Sequence, residues 1–361
     1  MRIAVDAREL ADRPTGVGRY LAALLGAWST SDATHRHEFV LYAHRPAVLA
    51  PDAWRSSVRL LAGAGGTAWE QRDLARAIAR DRPDVLFAPA YTAPLLTRTP
   101  FVVTVHDVSF FAHPEWFSWR EGLRRRRVTA WSARRARIVL APSAFSASEI
   151  VRFTGVDETR VRVVHSGVQP PPAPPAEARA PAVLYVGTLF QRRRLDVLID
   201  AFQAVAARVP TARLDLVGAN RTQPFVDFAA LVAARGLDGR VRVHDWVDDA
   251  ALERLYGEAA VFVFLSRYEG FGFTPLEAMA RGAVPVVLDT PVAREIYGDA
   301  AWRVGDGPAL TADVADAVTR LLDDPDARAR FRAAAAPLLA GYRWDAAAAR
   351  VLACLEEAGR G

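Results

Sequence analysis

Gln169-Pro170-Pro171-Pro172-Ala173-Pro174-Pro175-Ala176-Glu177-Ala178-Arg179-Ala180-Pro181 divides the chain in two. Proline fixes φ and lacks an amide donor, so a stretch this rich in it suits neither helix nor sheet interior and reads as an interdomain linker. Before it, the β-rich runs Ile3-Ala4-Val5, Phe39-Val40-Leu41-Tyr42, Val85-Leu86-Phe87, Phe101-Val102-Val103-Thr104-Val105 and Arg137-Ile138-Val139-Leu140 alternate with helix-like segments near residues 18–28, 68–80, 119–135 and 144–152. After it the rhythm restarts with Val183-Leu184-Tyr185-Val186, Leu214-Asp215-Leu216-Val217, Val241-Arg242-Val243, Val261-Phe262-Val263-Phe264 and Val284-Pro285-Val286-Val287-Leu288. Such alternation predicts parallel sheets covered by helices, hence an α/β chain of two doubly wound, Rossmann-like domains facing across a cleft. The expected division is a first domain over 1–168, the linker 169–181, a second domain over 182–340, and a C-terminal helix over 341–361 packing back on the first domain. Ligands of open α/β sheets sit beyond the carboxyl ends of the strands, which makes the cleft the expected site.

A length of 361 residues also favours two cores over one. With 51% hydrophobic and 24% charged residues, 23 Gly and 23 Pro, the composition is that of an ordinary globular protein and excludes collagen-like or wholly disordered chains. The single cysteine, Cys354, excludes an intramolecular disulfide framework and a Cys-rich zinc site. Met1-Arg2-Ile3-Ala4-Val5-Asp6-Ala7 shows no cationic head followed by an apolar stretch, and no window nears eighteen apolar residues. A cytoplasmic protein is therefore expected.

The net charge of +5 is carried by arginine alone, for the chain has no lysine. Residues 1–168 hold 24 Arg and 16 carboxylates, whereas 169–361 hold 22 Arg and 25 carboxylates. Most of the first half's excess lies in 116–137, where eight Arg meet only Glu121 and are interleaved with Trp116, Phe117, Trp119 and Trp131. Arg120, Arg124, Arg127, Trp131 and Arg134 follow helical spacing, giving a cationic face with an aromatic in it. Such a face fits anionic lipid headgroups or an acidic acceptor, and fits nucleic acid less well. A solvated surface helix with paired arginines is the plain alternative.

Four further segments carry candidate chemistry. Asp12-Arg13-Pro14-Thr15-Gly16-Val17-Gly18-Arg19-Tyr20 follows the first strand and opens a helix, where small residues and amide dipoles suit an anion, although a simple turn explains it as well. His106-Asp107 sits at a strand's carboxyl end, where an imidazole can meet a sugar hydroxyl or a developing charge, or merely cap a loop. Gly187-Thr188-Leu189-Phe190-Gln191-Arg192-Arg193-Arg194 sets three cations at a helix start, an unfavourable place unless an anion binds there; pairing with Asp196 or Asp200 is the alternative. Ser266-Arg267-Tyr268-Glu269-Gly270-Phe271-Gly272-Phe273-Thr274-Pro275-Leu276-Glu277 offers a glycine-rich loop at a helix N-terminus between two carboxylates that can accept sugar hydroxyls. Thr274 and Glu277 also have the spacing of a capping box, which would explain Glu277 but not the loop.

Glu269 and Glu277, separated by seven residues, resemble the E-x7-E signature of retaining GT-B glycosyltransferases of the large family 4 group. The resemblance extends through the Gly16 to Tyr20 segment, His106-Asp107, Pro142-Ser143-Ala144-Phe145-Ser146, His165-Ser166-Gly167-Val168, Val186-Gly187-Thr188-Leu189, and residues 291–300 with Glu295. It implies a nucleotide-sugar donor held by the second domain, with Arg192 and Arg193 on the diphosphate and Glu277 on the ribose. Gly187 and Thr188 would border the donor, while Glu269 and the backbone from Gly270 through Phe271 and Gly272 to Phe273 and Thr274 would face its sugar and phosphates. His106 would lie near the donor sugar, and Gly16, Val17, Gly18 and Asp107 would border the acceptor and diphosphate. Relatives usually carry Arg-Lys where this chain has Arg192-Arg193, which leaves open which cation meets which phosphate.

The resulting expectation is transfer of a hexosyl unit with retention of configuration, GDP-mannose being the favoured donor, to a saccharide or lipid-linked acceptor in cell-surface polysaccharide or glycolipid assembly. No metal or other cofactor is expected, and contact with the inner face of the plasma membrane follows from Trp116, Trp119, Arg120, Arg124, Arg127 and Trp131. A UDP-hexose-dependent transferase, a nucleotide-sugar 2-epimerase of the same fold and a non-catalytic nucleotide-sugar-binding protein are the competing readings.

Overall fold

A computed structural model describes residues 1–11, 15–48, 50–171 and 179–360. Asp12, Arg13 and Pro14 of the first glycine segment, and 172–178 of the proline-rich linker, lie outside the described residues. The chain divides into two compact units, one formed by Met1–Gly167 with Tyr342–Gly361 and the other by Val168–Gly341.

The first unit is built on seven strands: β1 (Arg2–Asp6), β2 (Glu38–Ala43), β3 (Val58–Leu60), β4 (Val85–Ala88), β5 (Phe101–Thr104), β6 (Ile138–Ala141) and β7 (Val161–Val163). All pair in parallel, in the order β3-β2-β1-β4-β5-β6-β7, with Ile3 opposite both Phe39 and Val85. The second unit has β8 (Ala182–Val186), β9 (Arg213–Val217), β10 (Val241–His244), β11 (Val261–Phe264), β12 (Val284–Leu288) and β13 (Trp302–Val304), again parallel, in the order β10-β9-β8-β11-β12-β13. β4, β5, β6, β11 and β12 are buried at every residue. A parallel sheet covered on both faces demands this, and it explains why these strands read as unbroken apolar runs.

In each sheet the strand order reverses once, between β1 and β4 and between β8 and β11. These are the points where a crevice opens beyond the strand ends. The helical segment expected near 68–80 is present with an irregularity: Gly66–Trp69 passes through a π-helical turn, Glu70–Leu74, before Ala75–Asp81 resumes the α-helix. The Ala-rich tail is helical over Leu310–Asp323, Pro325–Ala340 and Trp344–Arg360. The last helix belongs to the first unit. Ala347, Ala348, Val351, Leu352 and Leu355 enter the same core as Leu21, Leu24, Leu25 and Trp28, and the Trp28 indole donates to the Ala348 carbonyl at 2.9 Å.

Candidate functional site

In the second unit the loops leaving β8 and β11 flank the reversal of strand order. The first runs through Gly187 and Thr188 into a 3-10 turn, Gln191–Arg193, and the helix Leu195–Arg208; the second leads through Glu269 and Gly270 into the helix Phe273–Ala280. The loops are tied together. The Arg267 amide donates to the Arg192 carbonyl at 3.1 Å, and Asp306 accepts from Arg194 at 2.8 Å and Arg267 at 2.7 Å. The expected alternative pairing of the arginines with Asp196 or Asp200 is corrected: Arg194 takes Asp306, and Asp200 takes Arg235 at 2.8 Å.

Arg193 is seated deep in this junction. Its guanidinium meets Glu269 at 3.0 Å, donates to the Thr188 carbonyl at 3.0 Å and lies over the Phe264 ring at 5.1 Å. Burial opposes its charge, but Glu269 and the Tyr185 hydroxyl outweigh that and raise its pKa above the ordinary arginine value. The seat depends on Gly187, whose φ is +143°, because a Cβ there would lie 2.4 Å from the Arg193 Nη1. Arg192 instead stacks on Phe190, 4.2 Å from its ring centre.

The two glutamates are each held by one oxygen. Glu269 Oε1 accepts from Arg193 and, at 2.8 Å, from Ser266. Glu277 Oε2 accepts from Tyr256 at 3.0 Å. The capping-box account of Glu277 is corrected: the helix begins at Phe273, its N-cap is Gly272 at φ +80°, and no side chain caps it. Thr274 thus falls inside the first turn, where its hydroxyl cannot take the N-cap role, and Glu277 is free to reach Tyr256. The helix start follows the loop in which Arg193 holds Glu269, and a helix N-terminus beside a guanidinium and a carboxylate is a setting able to meet phosphate and hydroxyl oxygens.

The first unit carries the remaining expected residues. Gly16, Val17 and Gly18 form the first turn of the helix Gly16–Ser29 rather than a loop, and the Gly18 amide is already taken by the Thr15 hydroxyl at 2.9 Å. His106 is half-buried between Tyr20 and Tyr91, and its Nε2 donates to the Pro89 carbonyl at 2.8 Å. Burial lowers its pKa below the usual histidine value, keeping the ring neutral. Asp107 accepts from the Ser109 amide at 2.8 Å and the Tyr91 hydroxyl at 2.9 Å.

The expected cationic face is present on the helix Trp119–Arg135. Trp119 is 73% exposed, and Arg120, Arg124 and Arg127 are exposed and have no carboxylate partner among the described residues. Two aromatics depart from the expectation. Trp116 precedes the helix and stacks on His113, whereas Trp131 is half-buried against the core beneath Arg135. Sequence reasoning missed Tyr256 and Tyr91, whose partners Glu277 and Asp107 lie 21 and 16 residues away, and also Tyr185 and Ser266, whose partners Thr188 and Glu269 are each three residues on. Tyr91 and Ser266, just past the apolar runs of β4 and β11, have positions that mark them.

Among the described residues no helix is long and apolar enough to cross a membrane. Residues 14–171 match the family model described as Glycosyltransferase Family 4, and residues 172–337 match that described as Glycosyl transferases group 1. The chain is 31% identical over 180 residues to alpha-D-kanosaminyltransferase of Streptomyces kanamyceticus, covering 50% of this chain and 46% of that protein. It is 31% identical over 204 residues to the GDP-mannose:cellobiosyl-diphosphopolyprenol alpha-mannosyltransferase of Xanthomonas campestris, covering 56% and 52%. The matched stretch thus spans about half the length of these curated relatives. The crystal structure of Anabaena Alr3699/HepE in complex with UDP and glucose superposes with a TM-score of 0.75 at 18% identity, covering 99% of this chain and 100% of that one.

Proposed function

Because the chain belongs to the family 4 glycosyltransferases, with the two Rossmann-like domains of the GT-B fold, we propose that it moves a hexosyl unit from a nucleoside diphosphate sugar to an acceptor hydroxyl with retention of configuration. The observation that carries this reading is the junction at the reversal of strand order in the second unit, where Arg193 holds Glu269 in the loop that opens the helix Phe273–Ala280, the helix that carries Glu277 one turn on. The free oxygen of Glu277 suits ribose hydroxyls, and that of Glu269 suits the donor sugar. As the bond to the diphosphate lengthens, negative charge grows on its oxygens; Arg192 and the helix amides meet that charge, while Arg193 fixes Glu269. His106 of the first unit is held neutral by burial, with its Nε2–H directed to Pro89.

GDP-mannose remains the favoured donor, supported by the relative named for it, and UDP-hexoses are the second choice, supported by the UDP-bound structural neighbour. The acceptor is assigned to saccharide or lipid-linked intermediates of cell-surface assembly, at the inner face of the membrane. A thermal-shift panel of GDP, UDP, ADP and dTDP tests the donor class: one base should stabilise the protein well above the others, and a flat response would overturn the reading. Transfer should also persist in EDTA, since the leaving-group charge is assigned to guanidinium and amide groups; loss of transfer on chelation, restored by a divalent cation, would refute that assignment. Epimerised sugar released without acceptor would favour the 2-epimerase instead.

A further inference from the structure

In the second unit three arginines gather around the ends of three helices. Arg179 closes the proline-rich stretch just before β8, and Arg328 and Arg332 stand one turn apart on the helix Pro325–Ala340. Each turns its guanidinium to the carboxyl end of a helix. Arg179 Nη1 donates to the Ala259 carbonyl at 2.5 Å and the Tyr256 carbonyl at 3.3 Å, at the end of the helix Asp249–Glu258. Its Nη2 donates to the Arg281 carbonyl, and Arg332 Nε donates to the Gly282 carbonyl at 2.9 Å, both just past the helix Phe273–Ala280. Arg328 Nη1 donates to the Leu321 and Leu322 carbonyls at 2.6 and 3.0 Å, in the last turn of the helix Leu310–Asp323.

The helix ends do not balance these cations. A helix carboxyl end carries about half a negative charge, so three of them offset only about half of three guanidinium charges. None of the three arginines forms an ion pair with a carboxylate among the described residues. The neighbouring carboxylates face other cations: Glu253 accepts from Arg281 Nε at 2.8 Å, and Asp324 lies 3.9 Å from Arg320 Nε. Asp323 and Asp326 are exposed, where water screens them.

The arginines also press on one another. Burial, with the Arg332 and Arg328 charges, lowers the Arg179 pKa to about 10, and burial with Arg328 lowers that of Arg332. Hydrogen-bonding capacity is left over as well. Arg179 Nε and Arg332 Nη2 are buried without a hydrogen-bond partner among the described residues. Buried cationic donors without acceptors are costly, and an oxyanion supplies both the charge and the lone pairs that they lack. Arg328 is 8% exposed, whereas Arg179 and Arg332 are only part-buried, so the cluster borders solvent.

We propose that Arg179, Arg328 and Arg332 form a binding site for a phosphate-type oxyanion, either inorganic phosphate or the phosphate ester of a small metabolite. Guanidinium forks match phosphate oxygens bidentately, and three cations around one point favour a multiply charged anion over chloride. The site is not the donor junction. It lies past the carboxyl end of the helix Phe273–Ala280, whose start is at that junction, and the eight residues between span about 12 Å. It therefore stands independently of the transferase reading.

Calorimetry on the full chain tests it, with inorganic phosphate and glycerol 3-phosphate as probes and sodium chloride at matched ionic strength as the control. At least one phosphate probe should bind saturably, and the tighter of the two identifies the source. Arg332→Gln should weaken that binding tenfold or more, and Arg332→Lys, which keeps the charge but not the fork, should weaken it less. Arg192→Ala, on the donor loop, should leave it unchanged. The same probe should raise the melting temperature of the parent protein and of Arg332→Lys, but not of Arg332→Gln. Arg179→Gln makes the same reading from the other side of the cluster and covers a misfolded Arg332→Gln. Failure of both probes to saturate, or undiminished affinity in both glutamine variants, would overturn the proposal and leave the arginines as caps of helix ends alone. So would binding that Arg192→Ala abolishes and Arg332→Gln keeps, since the phosphate would then sit on the donor loop.

Discussion

Tyr256 and Glu277 are 21 residues apart in the chain and meet through one hydrogen bond, so the orientation of the proposed ribose-binding carboxylate is set by a residue on another helix. Tyr256→Phe keeps the buried ring and removes only that donor. It should weaken binding of the preferred nucleoside diphosphate by about 0.5–1.5 kcal/mol, roughly three- to tenfold, while the melting temperature moves little; unchanged affinity by calorimetry would detach Tyr256 from the site. A second residue reports through pH. Burial, opposed by Arg8 and reinforced by Glu70, raises the Asp6 pKa from its ordinary 3.8 to about 6. The folded state therefore holds a proton that the unfolded state releases between these values, and stability falls as pH rises from about 4 to 6. Asn cannot titrate, so Asp6→Asn should gain on the parent protein over that interval by on the order of 3 kcal/mol, then run parallel above it. Urea titrations at pH 4, 5, 6 and 8 measure the difference, and a constant offset would show that Asp6 is not shifted. His106 and Glu269 were legible as residues because each follows an apolar run at a strand end. Their partners were not: the contacts of His106 with Pro89 and Tyr91 join the ends of neighbouring strands and leave no local pattern, and Ser266, three residues before Glu269, is one small polar residue within its loop.

The helix Phe273–Ala280 depends at its start on one backbone conformation. Gly272 holds φ +80°, its carbonyl accepts from the Tyr297 hydroxyl at 2.9 Å, and a Cβ would fall 2.0 Å from that same hydroxyl. Gly272→Ala should lower nucleotide affinity at least tenfold by turning the first-turn amides away. Adding Tyr297→Phe should recover only part of the loss, since the collision is relieved while the backbone strain stays. Full recovery in the double variant would show that strain plays no part. The long apolar strands were readable because burial on both faces writes itself as an unbroken run. β3, β7 and β13 were not. Each has three residues with an arginine at its centre and lies at the end of its sheet, where one side needs no apolar partner. The capping-box reading failed for a related reason: Thr-x-x-Glu spacing fits an N-cap, but the positive φ open to Gly272 starts the helix one residue before Thr274.

Each unit repeats one topological device, a parallel sheet whose order turns once, and each turn gathers charged side chains: Arg8 with Glu70 in one, Arg193 with Glu269 in the other. The linker and the alternating runs made two Rossmann-like domains legible, whereas nothing in the strand sequences ranks their order in the sheet. The first unit's core is completed by the helix Trp344–Arg360, so its stability should hinge on residues from the far end of the chain. Leu355 is fully buried there, and Leu355→Ala should destabilise the first unit by about 2–5 kcal/mol, followed by Trp28 fluorescence in urea; a loss within 0.5 kcal/mol would mean that the helix merely rests on the surface. During synthesis the ribosome releases Leu21, Leu24, Leu25 and Trp28 long before their covering helix exists. The middle of the polypeptide can finish folding while the beginning still waits, its greasy groove a natural client for chaperones until the final turns emerge.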